Sequence, residues 1–241
     1  MGAGQEGFGE LIDLPVPVRR LRAGETLFHE GARVESIHFV RSGTLRVFHT
    51  EQDGYEQVLG FVGVTEMLGF DALCLERHPT EAVALEDSTV FVMLTRDLFA
   101  LSERSPAFGR VLHLSVSHAL ARQRELADVM AAVSSEVRLA RFLLHLSRRM
   151  AACGQSPRRL LLRMSRRDIA SHLGVAHETV SRSFKVMVEW GLVEVDNREV
   201  EVLDMAKLQL FSQGTRRQID DAGRQRPALP VLPASARRCA A

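Results

Sequence analysis

The sequence predicts an α+β protein with its strands gathered in the first half and its helices in the second. Three observations carry that expectation. Over residues 21–98 short apolar stretches alternate with glycine-marked turns. From Pro106 to Val133 apolar and small residues recur at helical spacing, with no further proline. Beyond Ser134 come further helical patterns, two of them joined through Gly174, and then a short alternating hairpin.

Residues 1–20 are Gly-rich and irregular and read as a lead-in. The strand-rich unit takes residues 21–105. Its short runs fall at 26–28, 37–40, 45–48, 58–62, 82–85 and 90–94, with Gly24, Gly31, Gly43, Gly54, Gly63 and Gly69 between or beside them. Many short strands at this spacing suggest a small antiparallel barrel or sandwich. Asp53-Gly54 between two such runs has the composition of a hairpin turn.

Residues 106–133 form one long helix. Leu112, Val116, Ala119, Leu126, Met130 and Val133 recur in a 4-3-4-3 series whose one polar member is Gln123. A narrow seam of this kind predicts pairing with a second helix, and hence a homodimer. Packing against the chain's own barrel is the alternative. A charge at position 123 would be desolvated beside its own copy on pairing, whereas two glutamine amides can hydrogen-bond across the seam. The expectation is therefore a dimer that forms without any cofactor.

Residues 134–213 make a second domain. Ser134-Ser135 offers a cap and a break, and Leu139, Phe142, Leu143, Leu146 and Met150 then line one face of a helix. A short strand is expected at 160–163. Ser165-Arg166-Arg167-Asp168 has the spacing of a capping box, and the short helix it opens ends at Leu173. Gly174 supplies the left-handed turn, Val175 plugs the angle, and a helix over 177–190 follows with Val180, Phe184, Met187 and Val188 inward. Its other face gathers Glu178, Ser181, Arg182 and Lys185. Gly191 stops it, and Asp196-Asn197 turns a small wing. The segment 214–241 lacks periodicity and is expected to be mobile.

Charge points the same way. The whole chain carries a net charge of only +1, yet residues 135–185 hold eleven Lys or Arg against Glu136, Asp168 and Glu178. A local excess of eight positive charges is the footprint of a phosphate-binding surface. In a helix-turn-helix the second helix enters the major groove by its N-terminal half. There Arg182 can hold guanine by two bonds, Glu178 can accept from a cytosine amino group, and Ser181 can meet either kind of base. His177 and Lys185 flank them as base or phosphate contacts. Arg158, Arg159, Arg163, Arg166 and Arg167 are the expected phosphate contacts.

No nucleophile elbow, P-loop or paired-carboxylate pattern stands in its required context, so an enzyme is not expected. No apolar run is long enough to span a bilayer, and no secretory signal is evident. Cys74, Cys153 and Cys239 have neither disulfide-framework nor metal-ligand spacing, which fits a reducing cytoplasm.

Barrel, long helix and winged helix-turn-helix in this order resemble the cyclic-AMP receptor and fumarate/nitrate-reduction (CRP/FNR) superfamily over roughly residues 20–210. The motifs are Gly24-x-x-Leu27-Phe28-x-x-Gly31, Ser42-Gly43-x-Leu45-Arg46-Val47, and Asp168-Ile169-Ala170…Leu173-Gly174…Glu178-Thr179-Val180-Ser181-Arg182. Leu68-Gly69-Phe70-Asp71-Ala72 and His78-Pro79…Ala84-Leu85-Glu86 tilt it toward the anaerobic-regulator branch. The resemblance implies an antiparallel β-roll like that of cyclic-nucleotide-binding domains, a dimerisation helix and a DNA-binding domain. It also implies contact with RNA polymerase, a role as activator, and TTGAT half-sites read by Glu178, Ser181 and Arg182. His177 stands where the cyclic-AMP branch has a base-reading arginine, so that branch's TGTGA half-site is not expected.

Three departures limit what is inherited. The anaerobic branch holds a [4Fe–4S] cluster on four cysteines, whereas residues 1–27 contain none and the fourth position falls at Phe91. Nucleotide-binding members neutralise the cyclic phosphate with an arginine, whereas the matching segments here read Gly69-Phe70-Asp71 and Thr80-Glu81-Ala82. Ala176 replaces the usual hydroxyl at the recognition-helix N-cap. The expectation is therefore no cofactor: no iron–sulfur cluster and no cyclic AMP. Haem, with His29, His38 and His49 as candidate ligands in a nitric-oxide-gated regulator, stays open beside it. So do a redox-sensing Cys74 and a weakly specific nucleoid-type DNA binder.

Overall fold

The computed structural model describes residues 16–214. The expected lead is outside the described residues up to 15, and the expected tail from 215. Of the lead, Val18–Leu21 is strand β1, paired antiparallel with β8. The remaining strands of the first domain are β2 (Thr26–Phe28), β3 (Ser36–Ser42), β4 (Leu45–Thr50), β5 (Glu56–Val62), β6 (Met67–Leu68), β7 (Glu81–Ala84) and β8 (Ser88–Leu94). They form two four-stranded antiparallel sheets, ordered β1-β8-β3-β6 and β2-β7-β4-β5. Leu27, Phe28, Val40, Leu45, Leu68, Ala82, Ala84 and Val90 meet in one buried cluster drawn from both sheets. The Asp53-Gly54 turn joins β4 to β5, with Gly54 at φ +83°.

Two helices then leave the β-roll. α1 (Thr95–Arg104) was not expected: it is short, buries only Leu98 and has no side-chain cap at its start. α2 (Pro106–Ala131) is the expected long helix, opened by Pro106 at its first turn and by Ser105, whose side chain accepts from Phe108 N–H. A second cluster packs Phe108, Val111 and Leu112 of α2 against Ile37, Phe39, Phe91 and Met93.

That packing corrects the expected seam. Leu112 is 8% exposed and belongs to the chain's own core, and Val116 leans on the same cluster. Ala119 and Leu126 are half-buried, while Gln123, Met130 and Val133 are exposed. Leu120, outside the series, is 63% exposed and is the most open large apolar side chain of α2. Met130, 39% exposed, lies just under three turns further along, with Ala127 between them and also exposed. The open stripe therefore keeps Gln123 and Met130 of the expected series and adds Leu120 and Ala127, while the β-roll claims Leu112 and Val116.

The second domain holds α3 (Ser135–Ala152), β9 (Arg159–Leu161), α4 (Arg166–Leu173), α5 (His177–Glu189), β10 (Val193–Asp196), β11 (Glu199–Val202) and α6 (Met205–Ser212). Its three strands run in the order β10-β11-β9 and form the wing, turned at Asn197 with φ +52°. The core joins Leu139, Leu143, Leu160, Ile169, Leu173, Val180, Phe184 and Met187. Val188, expected inward, is 43% exposed. The same cluster continues into the β-roll through Phe48, Val58 and Phe61, so one apolar core crosses between the domains.

Candidate nucleic-acid interface

The helix-turn-helix is built by local rules. Ser165 caps α4 by accepting from Asp168 N–H, and the Asp168 carboxylate accepts in return from Ser165 N–H at 2.8 Å. Gly174 closes α4 at φ +62°. A Cβ there would sit 3.1 Å from the Met130 methyl, so the turn is tied to the end of α2. Arg138 strengthens that tie, donating to Leu173 O and Ala132 O at 2.9 Å each. α5 starts at Ala176 without a side-chain cap, which leaves its first amides open toward solvent or an anion.

α5 is fixed from within. Val180, Phe184 and Met187 are buried, and Ser183 reaches Ser135 at 3.1 Å. Lys207 of α6 donates to Trp190 O at 2.9 Å, placing a cation at the helix C-terminus where the dipole favours one. Trp190 packs edge-on against Phe211 with centroids 5.2 Å apart. Neither α6 nor Lys207 was foreseen, because a short helix with one buried residue leaves almost no periodic trace.

His177, Glu178, Ser181, Arg182 and Lys185 all lie exposed on the outer side of α5. Thr179, not singled out from the sequence, accepts from Arg182 Nη2 at 3.3 Å and so braces the guanidinium. Ser181 Oγ donates back to His177 O at 3.5 Å.

The arginines expected at phosphates divide. Arg167 is exposed. Arg159 is largely exposed beside Glu201 at 3.5 Å, and Arg158 donates to Leu203 O at 3.3 Å. Arg163 is engaged by Glu86 of the β-roll at 3.1 Å. Arg166 is turned inward: its guanidinium lies 3.7 Å over the Phe184 ring and donates to Asn197 O at 3.1 Å. Burial holds its pKa below the ordinary guanidinium value. Arg166 thus supports α5 and the wing, where a phosphate contact was expected, because Phe184 offers its ring face at stacking distance.

The three histidines weighed as haem ligands are separately engaged. His29 meets Glu81 at 3.3 Å, His49 meets Glu51 at 2.8 Å, and buried His38 meets Ser36 at 3.2 Å. Cys74 is exposed and donates to Asp71 O at 3.5 Å. Among the described residues no helix is long and apolar enough to cross a membrane.

A β-roll, a long helix with an open apolar stripe and a winged helix-turn-helix with a polar recognition face define a DNA-binding regulator. Residues 18–105 match the cyclic nucleotide-binding domain family and residues 137–211 the Crp-like helix-turn-helix domain family. The transcriptional regulatory protein btr of Bordetella pertussis is 35% identical over 209 residues, covering 86% of this chain and 85% of its own. The transcriptional activator protein FnrA of Stutzerimonas stutzeri is 36% identical, covering 85% and 84%. FixK2 from Bradyrhizobium japonicum shares the fold at TM-score 0.73 and 24% identity, over 84% of this chain and 100% of that one. The chain belongs to the CRP/FNR family of transcription regulators.

Proposed function

We propose that the chain acts as a homodimer that reads an FNR-like TTGAT-N4-ATCAA palindrome without an iron–sulfur cluster. The observation that carries this reading is the joint exposure of Glu178, Ser181 and Arg182 on α5, with Arg182 braced by Thr179. Arg182 would pair with guanine, Glu178 with a cytosine amino group, and Ser181 with a neighbouring base. His177 and Lys185 would add base or phosphate contacts. Arg158, Arg159, Arg163 and Arg167 would hold phosphates, supplying affinity without sequence information. The dimer would pair along Leu120, Gln123, Ala127 and Met130, setting two recognition helices about one DNA turn apart.

The residues present support a reading without a bound cofactor. Four thiolates are needed for the cluster of the anaerobic branch, and this chain has three cysteines in all. A cyclic nucleotide fits poorly: Glu81 stands where its phosphate would need an arginine, and that carboxylate already meets Thr26 and His29. Contact with RNA polymerase follows from family membership alone and is proposed on that ground.

A base-substitution scan of the TTGAT half-site tests the reading. Changes at contacted pairs should each weaken binding by about 1–3 kcal/mol. A flat scan would contradict it and favour a nucleoid-type binder.

A further inference from the structure

α2 presents a stripe that its own chain leaves open. His113, Ser117, Leu120, Gln123, Ala127 and Met130 follow one another at three- or four-residue steps and are all exposed. His113, Leu120 and Ala127 recur every seventh residue, and so do Gln123 and Met130. That is the spacing of the two seam positions of a paired helix. Leu112 and Val116, which open the series expected from the sequence, pack in the core shared with the β-roll. Ser117 carries the open stripe past them, and its first member is therefore His113.

The His113 imidazole has no task within the chain. Among the described residues it makes no hydrogen bond or ion pair. By contrast His29 meets Glu81, His38 meets Ser36, His49 meets Glu51, His145 meets Glu125 and His172 meets Val58 O. α1 and β6 pack against this half of α2. β6 carries no ionisable group, and α1 carries Arg96 and Asp97, paired at 3.7 Å, with Glu103 and Arg104 at its end. Arg110 stands one turn before His113 on α2 and is exposed.

Both winged domains follow α2 and must reach one duplex, so the two copies of α2 run parallel. In a parallel pair, residues at the same seam position face each other. His113 therefore meets the same imidazole of a second copy. A neutral imidazole has one N–H donor and one acceptor nitrogen, so the two rings can share a hydrogen bond. Once protonated, each ring has donors only. Two like charges then face one another in a seam closed to water, with Arg110 adding positive charge from both copies.

We propose that the interface between two copies extends through a His113 pair, whose protonation separates them and makes the dimer acid-sensitive. The proposal rests on the dimeric DNA-reading function above. Separated chains bind protons that the pair refuses, so dimerisation is strongest above the range in which imidazole titrates and weakens as pH falls through it. Palindrome reading weakens with it, since each recognition helix holds only one half-site.

Sedimentation in the presence of a chelator, at about pH 8 and about pH 5.5, brackets that range. The dimer dissociation constant of the wild-type protein should rise at least about tenfold on acidification, the equivalent of one pK unit between paired and separate rings. His113→Leu keeps the seam apolar and should lose that rise. His113→Arg fixes the charge and should already dimerise at least about tenfold more weakly than wild type at about pH 8. Because position 113 is exposed within the chain, both variants should keep the wild-type thermal transition. Any acid response that the buried His38 and His172 produce through folding is common to wild type and His113→Leu, and cancels between them. An equal rise in wild type and His113→Leu, or a His113→Arg dimer as tight as wild type at the higher pH, overturns the pair and leaves the dimer standing. A wild-type protein that is monomeric at both pH values overturns the pair and the dimer reading together.

Discussion

α4 and α5 are neighbours in one motif, and both carry hydroxyls, charges and an imidazole, yet they use them in opposite directions. The polar groups of α5 stand open: Glu178, Ser181, Arg182 and Lys185 are all exposed. Apart from exposed Arg167, those of α4 are taken up within the chain, by Arg46 at Asp168 and by β5 at Ser171 and His172. The difference lies in what each helix faces. A polar group against an unpaired sheet edge becomes structural, and the same group against solvent stays available for a ligand. α2 repeats the contrast, with Leu112 inside its own core and Leu120 outside.

The widest separation should come from charging the two leucines. Leu112→Glu places a carboxylate in the β-roll cluster and should cost several kcal/mol, visible as loss of the cooperative thermal transition. Leu120→Glu should leave that transition in place and shift sedimentation from dimer to monomer, since burial of each leucine contributes about 1.5–3 kcal/mol. If Leu120→Glu remains dimeric, the open stripe of α2 is not the interface.

Arginine gives the next contrast. Arg182→Ala should cost about 1–3 kcal/mol and relax selectivity at one base pair, read by competition between matched and substituted duplexes. Arg166→Ala should instead lower stability by about 1 kcal/mol through loss of the Phe184 contact, leaving the pattern of base preference intact. Equal losses on all duplexes from Arg182→Ala would remove its base-reading role.

Acid should act on the inward groups. Burial lowers His172 and His38 to about 4 from 6.5, the Val58 carbonyl opposing the shift at His172. Between those values the unfolded chain binds protons that the folded chain refuses. Their contribution is fully present above about pH 6.5 and declines as pH falls toward 4, which denaturant titrations across that window should record. His172→Asn should flatten part of the slope. The smallest effect is expected from Ala176→Ser, which supplies the missing cap of α5 and should raise stability by about 1 kcal/mol in thermal melts.

Much of the outward-facing architecture was legible in the residues. Ser165 with Asp168, Gly174, and the three- and four-residue spacing on α5 are local signals, and local geometry realises them. The strand at Thr26–Phe28 was legible as an apolar run between Gly24 and Gly31, and that at Ser88–Leu94 was legible in part, as the apolar run 90–94. The partners of α4 were not, because Val58 and Ser171 are 113 residues apart and no periodicity links an edge strand to a distant helix. The inward turn of Arg166 was hidden for the same reason. An arginine beside a helix start reads as a phosphate contact until Phe184 is brought beneath it. The expected seam overlaps the chain's own core at Leu112 and Val116 because heptad spacing records which residues are apolar, and not whether the β-roll or a second copy covers them.

The central claim, sequence-selective DNA reading without a cofactor, is met most directly by fluorescence anisotropy of metal-free protein in air. The duplexes are TTGAT-N4-ATCAA, the corresponding TGTGA palindrome and a scrambled sequence, all at one salt concentration. The account predicts binding to the first that is tighter than to the other two by at least about tenfold, with α5 supplying the difference. Equal affinity for all three, or selective binding only after addition of haem, a nucleotide or reconstituted iron and sulfide, would contradict it.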